Sequence, residues 1–539
     1  MNICTAIHYT NGSPHIGHSL EFVVADVFSR WYQMRNKSER QVYFLTGTDE
    51  HGQKIEKTAF QKGMTPKEMC DQNSRKFYNL CKSLQVLPNR FIRTTDDDHT
   101  SSVHEFFKKC QASGDIYKGE YSGWYSIREE CYVTRKDAEL SNFKDPVTEQ
   151  PLIEMKEPSY FFKLSKYVSD IIEIIESKKV KIIPEYFTAD VLNRLKNNID
   201  DLSISRPKES VSWGIPVPED EGHTFYVWFE ALINYYTGIK SKRNSFNGVD
   251  IHVIGKDIIW FHSVVWLGML ISAKLELPKC IYVHGFVCDE NGQKMSKSIG
   301  NVIDPVQMIE RYGTTPFRYY MLSEFSSGTD LKFSEQALVQ THDSLLLKNV
   351  GNYVSRVFSM MKKYANSEVT DYICDNNPHP NQSNQQNNIF NIDETLITLQ
   401  NYIETFEFGR YCEHVLSLVT KLNTYISDTC IWQINNEKYP DDTRSEEFRN
   451  NVLRTLVEGM MIVSELLFPI IPEISMKIKK YLRHLPDDRN DNYMTISWNN
   501  FKVGHSIEGN PPKLFSILNQ EANDTKMKKN MQKKTSKSK

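Results

Sequence analysis

Hydrophobic and polar positions follow two different rhythms in the two parts of this chain. Residues 3–8 (ICTAIH) form a short mixed run, followed by the turn-rich Asn11-Gly12-Ser13-Pro14 and a helix-like stretch from His15, with Ser13 as its expected cap. Residues 41–46 (QVYFLT) read as a second strand ending at the Gly47-Thr48-Asp49 turn. The same alternation returns later. Residues 250–255 (DIHVIG) read as a strand, a long helix starts at Asp257, and residues 280–283 (CIYV) read as another strand. Strand, turn and helix in alternation predict βαβ units around a parallel sheet. Between the two sets, residues 114–212 are rich in Tyr, Ser and charge, with one clear helix marked by Leu164, Val168, Ile171, Ile172 and Ile175. This stretch is expected to be an insertion splitting one α/β domain.

After Ser334 the rhythm becomes helical throughout. Leu346, Val350, Tyr353, Val354, Val357, Phe358 and Met361 form one stripe. Val415, Leu418, Val419, Leu422 and Ile426 form a second, and Leu453, Leu456, Val457, Met460, Met461, Leu467 and Phe468 a third. Three long amphipathic helices in succession predict a bundle. The Asn/Gln-rich stretch 376–391 is low in complexity and is expected to be a disordered loop between helices.

Composition adds bounds. A chain of 539 residues is too long for one core and fits three or four modules. No apolar stretch approaches the roughly 20 residues that a membrane span needs, so no membrane partner is expected. The ten cysteines are scattered, with no C-x-x-C pair, which suits a reducing compartment and removes the usual zinc-knuckle spacing. Residues 1–11 carry neither a long apolar run nor an Arg/Ser-rich pattern, so no cleavable targeting segment is visible. Residues 526–539 hold seven lysines and no acid while the whole carries −3, leaving about −10 on residues 1–525. Such a tail is disordered by composition and either draws phosphates or stays merely solvated.

Two short strings carry chemistry. Pro14-His15-Ile16-Gly17-His18 follows a strand and opens a helix. A helix N-terminus offers free N–H groups and a positive dipole end to a phosphate. His15 and His18 can add hydrogen bonds, and Gly17 permits close approach. Alone, the string reads equally well as surface histidines. Lys294-Met295-Ser296-Lys297-Ser298 follows the turn-prone Asp289-Glu290-Asn291-Gly292. Its two lysines can close over a triphosphate and neutralise charge on a departing pyrophosphate. Gly47 to Lys54 superficially suggests a P-loop, but its second glycine is not followed by Lys and Ser/Thr, so the phosphate cradle would be incomplete.

Together these strings resemble the signatures of class I aminoacyl-tRNA synthetases. Further matches resemble the methionyl-tRNA synthetases of the bacterial and organellar branch: Ala6-Ile7-His8-Tyr9, Thr46-Gly47-Thr48-Asp49-Glu50-His51-Gly52, Phe225-Tyr226-Val227-Trp228-Phe229-Glu230-Ala231-Leu232, Ile254-Gly255-Lys256-Asp257-Ile258 and His284-Gly285-Phe286. The resemblance covers nearly the whole chain to about residue 500. It implies a Rossmann-like catalytic domain in two halves (1–113 and 213–288), split by a connective domain (114–212). A KMSKS loop and stem-contact region (289–335), a helical anticodon-binding domain (336–505) and a basic, disordered tail (506–539) would follow.

The resemblance also implies roles. Asp49 would pair with the α-ammonium of L-methionine, and Ile7, Tyr9, Trp228, Ala231, Tyr235, Ile258 and His262 would form the pocket for its side chain. A flexible thioether suits aromatic walls. His15, His18, Glu21, Gly255, Asp257, Lys294 and Lys297 would hold ATP, with Mg2+ accompanying the triphosphate; His15, His18, Lys294 and Lys297 would be catalytic. Asn352 and Arg356, one turn apart, and Trp432 would read the anticodon of tRNA(Met) by hydrogen bonding and stacking. Ile431 stands where the family usually has proline.

Many relatives carry zinc knuckles in the connective domain; here only Cys131 is present, so no zinc is expected, and Trp124, Tyr125, Tyr160, Phe161 and Phe162 are the expected core. The organellar resemblance favours the mitochondrial matrix and the missing presequence leaves the cytoplasm open; a monomer is expected. The competing readings are a synthetase for leucine, isoleucine, valine or cysteine, a non-catalytic tRNA-binding paralogue, and a small nucleotidyltransferase. The first needs a large editing domain or zinc ligands, and the second has no use for both strings. The third lacks a long helical half.

Overall fold

The computed structural model describes residues 1–35, 41–126, 131–133, 135–145, 150–197, 199–295, 300–371, 389–438, 442, 444–484 and 496–518. Its centre is a six-stranded sheet built from β1 (Asn2–Tyr9), β2 (Tyr43–Asp49), β3 (Arg90–Arg93), β4 (Lys181–Ile183), β5 (Ile251–Gly255) and β6 (Cys280–His284). The spatial order is β3-β2-β1-β5-β6-β4, with every pair parallel. β1, β2 and β5 are buried almost end to end, as parallel strands covered on both faces must be. Strand order reverses between β1 and β5, where an open α/β sheet leaves a crevice beyond the carboxyl ends of its strands.

Helix α1 (Ile16–Arg35) follows β1 and is buried on nearly all sides, because the sheet lies under one face and the helical domain under the other. Two of its three buried charged residues, Asp26 and Arg30, pair with each other. Asp26 Oδ2 accepts from Arg30 Nε at 2.7 Å and from Arg318 Nη2 at 2.8 Å. Arg318 also donates to the carbonyls of Leu84, Pro469 and Ile470, tying the first catalytic half to the far end of the bundle.

The inserted stretch contains a four-stranded antiparallel sheet, in the order 131–133, 116–126, 153–162, 202–203. Tyr125, Phe161 and Phe162 are buried there, while Trp124 and Tyr160 are half-buried. One boundary differs from the expectation: β4, within 114–212, leaves the insertion and pairs with β6 as an edge of the central sheet. Three residues among lysines carry too little alternation to read as a strand, and only the partner strand makes them one.

All seven residues of the first helical stripe are buried, on a helix whose middle, His342–Gly351, widens into π geometry before α2 (Asn352–Ala365). α3 (Phe408–Thr429) and α4 (Glu446–Leu467) carry the other two stripes. Helices Ile392–Glu404 and Pro472–Tyr481 complete the bundle. A second boundary differs. Within the expected tail 506–539, residues 506–518 pack onto the bundle: Ile507, Leu514, Phe515 and Leu518 are buried, and the Leu518 N–H donates to Asp343 Oδ1 at 3.2 Å. Four apolar side chains in a stretch without helical rhythm give a sequence pattern no signal, yet bury enough surface to hold it. Residues 376–388 of the low-complexity stretch and 519–539 of the tail lie outside the described residues.

Candidate active site

The crevice is lined from the carboxyl ends of β1, β2, β5 and β6. Ser13 does not cap the helix that follows β1: α1 begins at Ile16, and the Ser13 hydroxyl accepts from Lys76 Nζ at 3.2 Å. The cap is His15 instead, whose Nδ1 accepts the Gly17 backbone N–H at 3.2 Å, while His18 Nδ1 reciprocally accepts the His15 backbone N–H at 3.0 Å. The two rings stack 3.7 Å apart, with His15 outermost and exposed. Behind them, His8 meets His18 edge-on at 4.6 Å and stacks on Phe77. Burial, and then the neighbouring His15 and His8, push the His18 ring well below the ordinary histidine range. Burial lowers His8 to about 3. A neutral His18 with Nδ1 occupied carries its proton on Nε2, a donor suited to phosphate oxygen.

One turn along α1, Glu21 Oε2 lies 3.1 Å from Nε2 of His284, the last residue of β6. Burial alone would lower His284, but the Glu21 carboxylate outweighs it and raises the ring; burial likewise raises Glu21. Two residues on, the ring of Phe286 carries the ammonium groups of Lys294 at 3.9 Å and Lys256 at 4.5 Å. Lys294 is exposed and bridges to Cys288. The Glu21–His284 bond thus brings the α1 turn next to His18 to the end of β6, and Phe286, two residues past His284, carries Lys294 on its ring. Ser296, Lys297 and Ser298 lie outside the described residues. Glu21 also feels the charge of Asp257, just past β5. A Cβ on Gly255 would lie 2.7 Å from Asp257 Oδ1, so glycine lets that carboxylate fold back over the strand end.

Beside this lies an aromatic cluster. The expected long helix from Asp257 is interrupted: a short turn over Lys256–Ile258 leads into a π-helical segment, Phe261–Val265, before the regular helix Trp266–Ser272. Such widened turns recur at functional sites. His262 Nδ1 donates to Ile258 O at 2.9 Å, and Nε2 lies 2.8 Å from the Tyr235 hydroxyl. Burial lowers His262 to about 4, so the ring is neutral and Nε2 accepts from Tyr235. Trp228 stacks on Phe261 at 3.9 Å, with the planes 3° apart, and meets His262 edge-on. Ile7, Trp228, Ile258 and Phe261 are half-buried against one core, and Ala231 is buried. Tyr9 and Asp49 pair in register at the ends of β1 and β2, with Lys54 5.8 Å from the Tyr9 ring.

In the bundle, Asn352 is exposed at the start of α2. Arg356, one turn on, reaches α3 through Asn423 O and Ser427 Oγ, both at 3.4 Å. Half-buried Trp432 follows the end of α3, behind the fully buried Ile431.

Several members of the site had no role from sequence: Phe261, His284 and Phe286, and a buried trio of Glu230, His51 and His99. All but Phe261 and His99 stand in the strings quoted for the resemblance, which was the available signal; their partners are remote in sequence. Among the described residues, no three His, Cys, Asp or Glu are grouped to hold a metal ion.

Residues 1–142 and 135–358 match the family described as tRNA synthetases class I (M). The chain is 36% identical to the methionine–tRNA ligase of Fusobacterium nucleatum, over 94% of this chain and 78% of the relative. It is 33% identical to the chloroplastic/mitochondrial methionine–tRNA ligase of Arabidopsis thaliana, over 100% and 86% of the two lengths. The fold matches the Mycobacterium tuberculosis methionyl-tRNA synthetase bound by methionyl-adenylate with a TM-score of 0.85 and 31% identity, covering 96% of this chain and 99% of that one.

Proposed function

This chain belongs to the methionyl-tRNA synthetases of class I, and on that premise we propose how its residues divide the work. The reaction activates methionine with ATP as methionyl-adenylate, releases pyrophosphate, and passes methionine to tRNA(Met).

Asp49 pairs with the α-ammonium, since a desolvated cation needs a charged partner. Tyr9, Trp228, Tyr235 and His262, with Ile7, Ala231 and Ile258, enclose the thioether, and sulfur–ring contacts contribute about 0.3–1.5 kcal/mol each. The methionine carboxylate is ionised near neutral pH and attacks the α-phosphorus without a general base. Catalysis is therefore positioning and charge stabilisation. His18 donates through Nε2 to phosphate, with His15 beside it. Asp257, at the glycine-opened end of β5, accepts from ribose hydroxyls. Glu21 holds His284 under the same cleft. Lys294 and Lys297 neutralise the departing pyrophosphate, with Mg2+ entering on the triphosphate as part of the substrate. Asn352, Arg356 and Trp432 bind anticodon bases. The connective domain holds by its aromatic packing without zinc. The protein acts as a monomer, and its placement in the mitochondrial matrix rests on likeness to the chloroplastic/mitochondrial enzyme of Arabidopsis thaliana, with the cytoplasm as the alternative that the bacterial relatives leave open.

The observation that carries this reading is the Glu21–His284 bond, one turn from His18, together with Lys294 on the ring of Phe286 two residues past His284, which brings two remote strings to the end of one strand. Pyrophosphate exchange across the amino acids tests it. Methionine is expected to lead every other amino acid by at least about a hundredfold, as discrimination by a fitted pocket requires. A preference for leucine, isoleucine, valine or cysteine would overturn the reading.

A further inference from the structure

We propose that Glu230 is a positioning residue that sets the width of the methionine site. Its carboxylate is wholly buried and each oxygen meets one imidazole: Oε1 lies 3.0 Å from His51 Nδ1, and Oε2 3.0 Å from His99 Nε2. His99 continues through Nδ1, 3.0 Å from Thr237 Oγ1, which donates to Ile233 O at 3.1 Å. His51 Nδ1 is also 3.3 Å from Thr94 Oγ1, the acceptor of the Glu50 N–H at 2.9 Å. This inference rests on the methionine-site reading above.

The partners come from both halves of the split domain. His51 and His99 precede the insertion; Glu230 and Thr237 follow it. His51 stands two residues after Asp49, in a turn that needs Gly52 at φ 108° and is braced where Trp213 Nε1 donates to Glu50 O at 2.5 Å. Glu230 shares its short helix, Val227–Leu232, with Trp228 and Ala231. One carboxylate therefore fixes the turn that carries the ammonium partner against the helix that carries the thioether wall. A buried carboxylate persists only when hydrogen-bonded and charge-compensated. Burial raises Glu230, and His51 and His99 reverse this and hold it below the ordinary carboxylate range. With no exposed surface, Glu230 cannot touch substrate, and acts through Asp49 and the Trp228 helix.

Substrate needs separate this role from a merely structural one. Methionine must reach both walls at once, whereas ATP uses neither. In Glu230→Ala, KM for methionine in pyrophosphate exchange is expected to rise about tenfold or more, with KM for ATP and kcat within about threefold. Glu230→Gln keeps the shape and can accept from one imidazole while donating to the other, so it is expected to recover most of that loss. If Glu230→Ala does not fold, His51→Ala serves, because His51, at 7% exposure, is the least buried of the three; at least a fivefold rise in KM for methionine is expected, on the order of one weakened interaction. The proposal falls if either folded variant keeps the methionine KM of the unmodified protein, or raises both substrate KM values alike. Absence of methionine-dependent exchange by the unmodified protein would instead remove the functional reading.

Discussion

His262 has both ring nitrogens committed, Nδ1 to Ile258 O and Nε2 to Tyr235, and so must remain neutral. Its folded value of about 4 lies below the ordinary histidine value near 6.5. The unfolded chain therefore binds a proton that the folded chain refuses, and stability falls as pH drops from about 6.5 to about 4. At pH 5 the loss from this ring is about 2 kcal/mol. Thermal melts of His262→Gln are expected to decline less between pH 7 and 5 than those of the unmodified protein; equal declines would contradict the assignment. At this scale the sequence was uneven. The histidine and lysine strings were legible because their spacing is unusual, whereas Phe261 and the Glu230 trio were not. Their meaning depends on atoms brought from other elements, such as His99 from a helix far upstream.

Among elements, α1 bears the most. It opens with the histidine pair, and its later turns are clamped by Arg318 through Asp26 and by Gln400, whose Oε1 accepts from Trp31 Nε1 at 2.7 Å. Arg318→Met leaves three buried carbonyls short of a donor and Asp26 with only Arg30. The expected loss is about 3–5 kcal/mol, the range for breaking a buried ion pair. Because Arg318 ties α1 to the Pro469–Ile470 turn, calorimetry is also expected to show catalytic and helical domains melting in separate transitions. A single unshifted transition would contradict that tie. Strand and helix periods were readable: β1 and β2 as short runs buried on both faces, and the three stripes by their helical spacing. The π-helical segments and β4 were not: the former change the residues per turn without changing composition, and the latter exists only through pairing with β6.

In the whole molecule, the crevice at the reversal of strand order and the surface near Trp432 lie on different domains, so their contributions separate kinetically. On the proposed role of Trp432, its replacement by Ala removes a stacking surface worth about 1–3 kcal/mol per base. The expected result is a KM for tRNA raised about tenfold or more, with methionine-dependent pyrophosphate exchange unaffected. A fall in exchange would mean that the ring supports the catalytic fold instead. The split of the α/β domain was legible as a change in composition, but not the return of 181–183 to the central sheet or the packing of 506–518 on the bundle. The most direct measurement is a crystal structure with a non-hydrolysable methionyl-adenylate analogue. The expected pose puts the ammonium at Asp49, the thioether beside Tyr235 and His262, and the phosphate and ribose between His18 and Asp257. A ligand seated elsewhere, or turned so that its thioether faces the His15–His18 pair, would contradict the account.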